Sequence, residues 1–249
     1  MAGTMRLLGL EFADQTVEAA AEWLAQRAAT EPFGYVTTPN ADHLVRLSRH
    51  PDLLPLYQDA MLRLLDSRVV ALMARLVGLA APRVAPGSDL TTLLLTRYLA
   101  AGERITIIGL APDWLRLLVA RCGIAVPAHY DPPHGFEREA AAMRTAVDFA
   151  LAHPARFVFL AVGSPRQELL AAAIRATGRA CGIGLCIGAS LEFIAGAHRR
   201  APHWMQRAGL EWLYRLAGDP RRLARRYLIN CPPIVALLWR ERMRRGNET

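Results

Sequence analysis

Lysine is absent from this chain of 249 residues, and all 30 of its Lys-or-Arg positions are Arg. We read that as a genomic composition bias and attach no function to it. Cysteine is sparse: Cys122, Cys181, Cys186 and Cys231 show neither CxxC nor a metal-ligand spacing. That excludes a disulfide scaffold and points to a reducing cytoplasm. No apolar run reaches the roughly 18 residues a membrane span needs, and the N-terminus lacks the apolar stretch of a signal peptide. Signature motifs are missing too. There is no GxGxxG behind the first strand pattern and no GxxxxGK[ST], so dinucleotide and P-loop sites lack their fingerprints. None of the seven His residues belongs to an HExxH, and no GxSxG elbow occurs. Without a DxD pair, a divalent metal held against a nucleotide diphosphate is not expected. Any phosphate would rest on Arg, backbone N–H and hydroxyl groups.

What is present is apolar content and an uneven charge. At 53% hydrophobic residues the chain can bury a substantial core, as one large domain or a domain with an appendage. Residues 196–249 hold 12 Arg against Glu211, Asp219, Glu241 and Glu248, whereas residues 1–195 hold 18 Arg and 18 acids. The whole net charge of +8 therefore belongs to the C-terminal segment. Residues 1–195 read as an α/β catalytic body and 196–249 as a basic helical appendage. Its expected partner is anionic, a phospholipid surface or nucleic acid.

Within the body, apolar strand patterns lie near 33–37, 61–65, 104–108, 124–128, 156–162 and 181–187. They alternate with helical patterns near 14–29, 41–58, 67–77, 89–101, 112–121, 137–152 and 164–177, and a short strand, RLLGLEF, opens the chain. This predicts an α/β fold with a Rossmann-like, mainly parallel sheet covered by helices on both faces. Five strand ends carry Gly, Pro or polar residues: TTPN (37–40), LDSR (65–68), IGLAP (108–112), VGSPRQE (162–168) and IGAS (187–190). In an open parallel sheet, ligands bind outside those ends. Gly109, Gly163 and Gly188 would admit a close backbone approach, and helix N-termini would offer N–H groups to phosphate.

Each feature also has a plainer reading. Glycine is common in loops, Asn40 and Asp66 are ordinary helix caps, and Gln167-Glu168 suits a solvated first helical turn beside the helix dipole. Their convergence on one end of a sheet is what predicts a small-molecule site. The peptide FVFLAVGSPRQELL is the sharpest case, because a buried strand opens through Gly163-Ser164-Pro165 onto three long polar side chains. A Pro start accounts for Ser164 and Pro165 but not for Arg166, Gln167 and Glu168.

Taken together, the motifs resemble the WecG/TagA/CpsF family of bacterial glycosyltransferases (glycosyltransferase family 26) over nearly the whole chain. The similar segments are TPNADHL (38–44), RLLDS (63–67), PGSDL (86–90), IIGLAP (107–112), HGF (134–136) and AVGSPRQE (161–168). The most specific is the long block from Phe193 to Leu228, with its GLEWLYRL core. The resemblance implies an inverting, metal-independent transferase without a cofactor. It would move a sugar from a UDP-sugar to a polyprenyl-diphosphate-linked saccharide, as a cytoplasmic enzyme peripheral to the inner face of the cell membrane. It implies Asp66 as the base on the acceptor hydroxyl, with Thr38, Asn40 and Gln167 in the same pocket. Arg83, Ser88, Asp89, Gly109, Gly163, Gly188 and Glu192 complete the expected substrate-binding set. Arg215, Arg221, Arg222, Arg225 and Arg226 are assigned to the acceptor diphosphate or the membrane.

Three departures from the family pattern stand out: LDS in place of PDG, Glu192 where Asp is usual, and one extra residue between Arg83 and Gly87. They suggest a divergent, exopolysaccharide-type member, for which UDP-glucose or a related donor fits as well as UDP-ManNAc.

On a helix at about 100° per residue, Arg221, Arg222, Arg225 and Arg226 share one half. Leu223, Ala224, Tyr227 and Leu228 share the other, as in an interfacial or docked helix. The following PPIVALLW (232–239) reads as a lipid-facing stretch too short to span. Two other classes fit parts of the sequence: a non-catalytic scaffold of a polysaccharide export complex, and a nucleic-acid-binding α/β protein using Trp212 and Tyr214 between arginines. The latter leaves the strand-end motifs unexplained, so no nucleic-acid partner is expected. The sequence is also compatible with a homo-oligomer.

Overall fold

A computed structural model of the chain describes residues 3–197, 202, 205, 211–218, 220, 224 and 231–246. It opens on an antiparallel hairpin, β1 (Thr4–Leu7) and β2 (Leu10–Ala13). RLLGLEF is thus a turn between two strands rather than one strand. The chain reverses at Leu8 and Gly9, whose φ values of 50° and 79° suit a tight hairpin turn. A six-stranded sheet follows, made of β3 (Gly34–Thr37), β4 (Leu62–Arg63), β5 (Thr106–Gly109), β6 (Ala128–Tyr130), β7 (Phe157–Ala161) and β8 (Ile183–Cys186). Its order is β4-β3-β8-β7-β5-β6, and every pairing is parallel. β6 starts at Ala128, where the 124–128 pattern ends, because Pro127 has no N–H for the ladder.

The helices are α1 (Val17–Ala25), α2 (Ala41–Arg49), α3 (Leu54–Gln58), α4 (Arg68–Leu76), α5 (Gly87–Leu93), α6 (Pro112–Cys122), α7 (Ala140–Ala152), α8 (Arg166–Ala176) and α9 (Ser190–Ala195). Two more, α10 (Glu211–Gly218) and α11 (Pro233–Gly246), are described in the C-terminal segment. The continuous helical pattern over 41–58 is broken where Pro51 interrupts the backbone bonding, leaving a 3-10 turn before α3.

Strand alternation splits the core cleanly. Phe157 and Phe159 of β7, with Val36, Ile107 and Leu185, pack on α1, α5, α6 and α9. The intervening Val158 and Leu160, with Tyr35, Ile108 and Cys186, pack on α7 and α8. Both faces are therefore apolar, as a covered parallel sheet requires. A third core lies beyond the β4 edge, joining Leu7, Leu10 and Phe12 of the hairpin to Leu44, Val70 and Ala74 of α2 and α4.

Ile234 and Leu238 of α11 belong to that third core, so half of PPIVALLW covers protein. Glu241 of the same helix is buried and accepts a hydrogen bond from the Leu8 backbone N–H at 2.6 Å. The opposite face of α11 stays open: Val235, Trp239 and Met243, at helical spacing, are each about half exposed. Among the described residues no helix is long and apolar enough to cross a membrane.

Candidate active site

The carboxyl ends of β3, β4, β7 and β8 surround a cleft of about 300 Å³. Asp66 enters it from the β4 edge. Past β4, Leu64 donates its N–H to Thr37 O at 3.0 Å and Asp66 donates its own to Pro39 O at 2.9 Å, so the two chains run side by side to the end of the sheet. Leu64 and Leu65 are fully buried, which brings the following carboxylate out at the cleft. Capping of α4 falls to Ser67, whose hydroxyl accepts from Val70 N–H at 3.2 Å. Asp66 is therefore not the cap. Its Oδ2 accepts the Gly87 N–H at 3.3 Å.

Gly87 has a second duty. A Cβ there would stand 2.8 Å from Thr38 Oγ1, so only glycine lets the PGSD turn close over Thr38. The Thr38 hydroxyl donates to Cys186 O at 3.4 Å, linking β3 to β8 inside the cleft. Asn40 stands at the start of α2. It caps α2, accepting from Asp42 and His43 N–H at 3.1 and 3.4 Å, and it lines the cleft.

The opposite wall comes from the opening peptide. Gly163, at φ 75°, turns the chain out of β7, and α8 starts at Arg166, one residue after Pro165. Arg46 of α2 grips the turn, with Nη1 on Ser164 O at 3.2 Å and Nη2 on Ser164 Oγ at 2.8 Å. The Tyr57 hydroxyl lies 3.1 Å from the same Oγ and 3.4 Å from His43 Nδ1. Gln167 and Glu168 are not solvated: their exposures are 1% and 0%. Gln167 Oε1 accepts the Gly188 N–H at 2.8 Å, and its Nε2 donates to Glu168 Oε1 at 2.8 Å. Burial raises the Glu168 carboxyl above its usual range, against the opposing hydrogen bond from Gln167. Burial, helped by Glu168, also raises the Tyr57 phenol.

Thr38, Asn40, Asp66 and Ser88 thus meet Gly163, Gln167 and Gly188 around one space. Four expected residues do not line it. Arg83 is exposed and lies against Asp14, and Asp89 sits in the first turn of α5. Gly109 packs against the Ala161 backbone, and Glu192 is carried by α9. Arg215 is on α10, whereas Arg221, Arg222, Arg225 and Arg226 lie outside the described residues. Sequence reasoning missed Asp42, His43, Ser164, Ser190 and Phe193, all of which line the cleft. For Asp42 and His43 the signal was available, because they follow the Asn40 cap in the first turn of α2. Among the described residues no group of three or more His, Cys, Asp or Glu side chains is arranged to hold a metal ion.

A carboxylate, hydroxyls and glycine-rich turns at the ends of parallel strands suit a polar substrate with hydroxyl groups. The sequence model of the glycosyl transferase WecG/TagA/CpsF family matches residues 5–248. The chain belongs to that family, and a sugar donor and an acceptor are its substrates.

Proposed function

From that membership and the cleft's geometry, we propose an inverting, metal-independent transfer of a sugar from a UDP-sugar to a polyprenyl-diphosphate-linked saccharide in cell-surface polysaccharide synthesis. The observation that carries this reading is Asp66, held by the Gly87 N–H in the cleft that Thr38, Ser88 and Gln167 also line. Its carboxylate takes the proton of the acceptor hydroxyl as the acceptor oxygen bonds to the anomeric carbon. The bond from that carbon to the UDP oxygen breaks on the opposite side, and UDP departs with the electron pair. A single displacement of this kind inverts the centre and needs one base.

The departing diphosphate gains negative charge, which fixed cationic donors stabilise. Arg215, Arg221, Arg222, Arg225 and Arg226 of the C-terminal segment are the donors we assign to it and to the membrane. The half-exposed Val235, Trp239 and Met243 on α11, beside Arg240, Arg242 and Arg244, support a peripheral seat on an anionic lipid surface.

A thermal-shift screen of UDP-sugars tests the reading, since a ligand that binds only the folded state raises the melting temperature. One UDP-sugar should stabilise the protein and release UDP when acceptor is added, with EDTA present throughout. A strict, reversible need for Mg²⁺ or Mn²⁺ would overturn metal independence. The absence of any UDP-sugar shift would leave a scaffold as the better account.

A further inference from the structure

Glu168 has no part in the chemistry above, yet it is wholly buried beneath the cleft. Its two oxygens are unequal. Oε1 holds Gln167 Nε2 at 2.8 Å, while Oε2 is buried without a hydrogen-bond partner. An unpaired buried oxygen is costly, and the contact that offsets this cost is the one on Oε1.

The partner on that other oxygen is fixed by logic as well as by distance. Gly188 N–H can only donate, so the Gln167 side chain must turn its oxygen toward Gly188 and its NH₂ toward Glu168. A protonated carboxyl still offers a carbonyl oxygen as acceptor, so the contact survives in either ionisation state. The Gln167 backbone adds to the tie: its N–H donates to Gly163 O at 2.9 Å, and its C=O receives Cys186 Sγ at 3.6 Å. Gly188, by contrast, has no atom within 4 Å of where a Cβ would stand. Ile187 and Leu191 anchor the two flanks of its loop in the core, and this hydrogen bond fixes the Gly188 N–H between them.

We propose that Glu168 is a positioning residue: it locks the Gln167 amide, and through it the Gly188 N–H, so that the Gly163 and Gly188 turns form one rigid wall of the cleft. That the wall serves a sugar nucleotide rests on the function proposed above; the lock itself does not.

The test uses the full chain and two substitutions of similar volume. Glu168→Gln keeps an acceptor for Gln167, and Glu168→Met removes it. Hydrogen exchange at the Gly188 amide should quicken by up to about tenfold in Glu168→Met, one neutral hydrogen bond's worth. Glu168→Gln should remain within about twofold of the parent. Calorimetric affinity for UDP should follow the same order. Gln167→Ala combined with Glu168→Met should bind UDP no more weakly than Gln167→Ala alone, because the two act through one amide. Parent-like Gly188 exchange in a folded Glu168→Met protein would overturn the lock. So would losses that multiply in the double variant. If the parent protein binds no UDP, the sugar-nucleotide reading falls, and the exchange measurement alone decides the role of Glu168.

Discussion

Gly109 and Gly188 stand at the carboxyl ends of parallel strands, and both have positive φ, 92° and 54°. Their surroundings differ completely. A Cβ on Gly109 would lie 2.7 Å from the Ala161 carbonyl carbon, whereas one on Gly188 would meet nothing within 4 Å. The difference comes from neighbouring strands. Gly109 pairs in register with Ala161 of β7, and the turn after it is capped from β6, where His129 Nε2 donates to Gly109 O and Leu110 O at 3.1 and 2.8 Å. The β5 end is thus filled by its own sheet. The ends of β3, β4, β7 and β8 leave the space in which Asp66 sits. A polar or glycine-rich strand end is accordingly a site only where the adjacent strands leave it open.

The largest effect expected from that contrast is chemical and lies on the open side. Asp66→Asn keeps the shape and the contact with Gly87 while removing basicity. Turnover should fall by about 100-fold or more in steady-state UDP release, with melting temperature and UDP affinity unchanged. Turnover near the parent value would strip Asp66 of the role of base. On the filled side the effect should be on stability instead. Gly109→Ala combines left-handed strain with a clash against backbone, and should cost about 2–5 kcal/mol in denaturant unfolding. The fraction that remains folded should bind UDP normally. Gly188→Ala reverses the pattern: about 1–2 kcal/mol of stability from φ strain alone, accompanied by weaker UDP binding. Equal stability losses for the two glycines would erase the distinction between the strand ends.

Much of this is legible in the sequence, for identifiable reasons. Strands buried on both faces show as unbroken apolar runs, so the α/β alternation and most element positions follow from patterning. Thr38, Asn40, Asp66 and Gln167 were findable because they break such runs at strand ends. What local sequence cannot carry is tertiary company. Arg46 and Tyr57 matter through Ser164, more than 100 residues away, and nothing near them in the chain signals it. Glu168 matched a solvated first turn by position and by the helix dipole, but α8 starts beneath the Arg46–Tyr57 cluster, so that turn faces inward. For Gly109 the deciding neighbour was Ala161, a contact set by strand order rather than by the glycine's own surroundings in sequence.

The smallest expected effect concerns that buried carboxyl and sharpens the contrast between the open cleft and the packed layer beneath it. Burial lifts the Glu168 carboxyl above its ordinary 4.5, so ionising it in the folded protein is harder than in the unfolded chain. A raised acid therefore leaves the fold at full strength below about pH 4.5 and withdraws stability as pH climbs toward the folded-state value. Glu168→Gln does not titrate and escapes that loss. Its melting temperature relative to the parent should rise as pH increases from about 4.5, then level off once the parent's carboxyl is ionised in both states. Calorimetric melts of the two proteins across that range read the difference directly. Parallel curves would mean that Glu168 titrates normally, as it would if water reached it from the cleft.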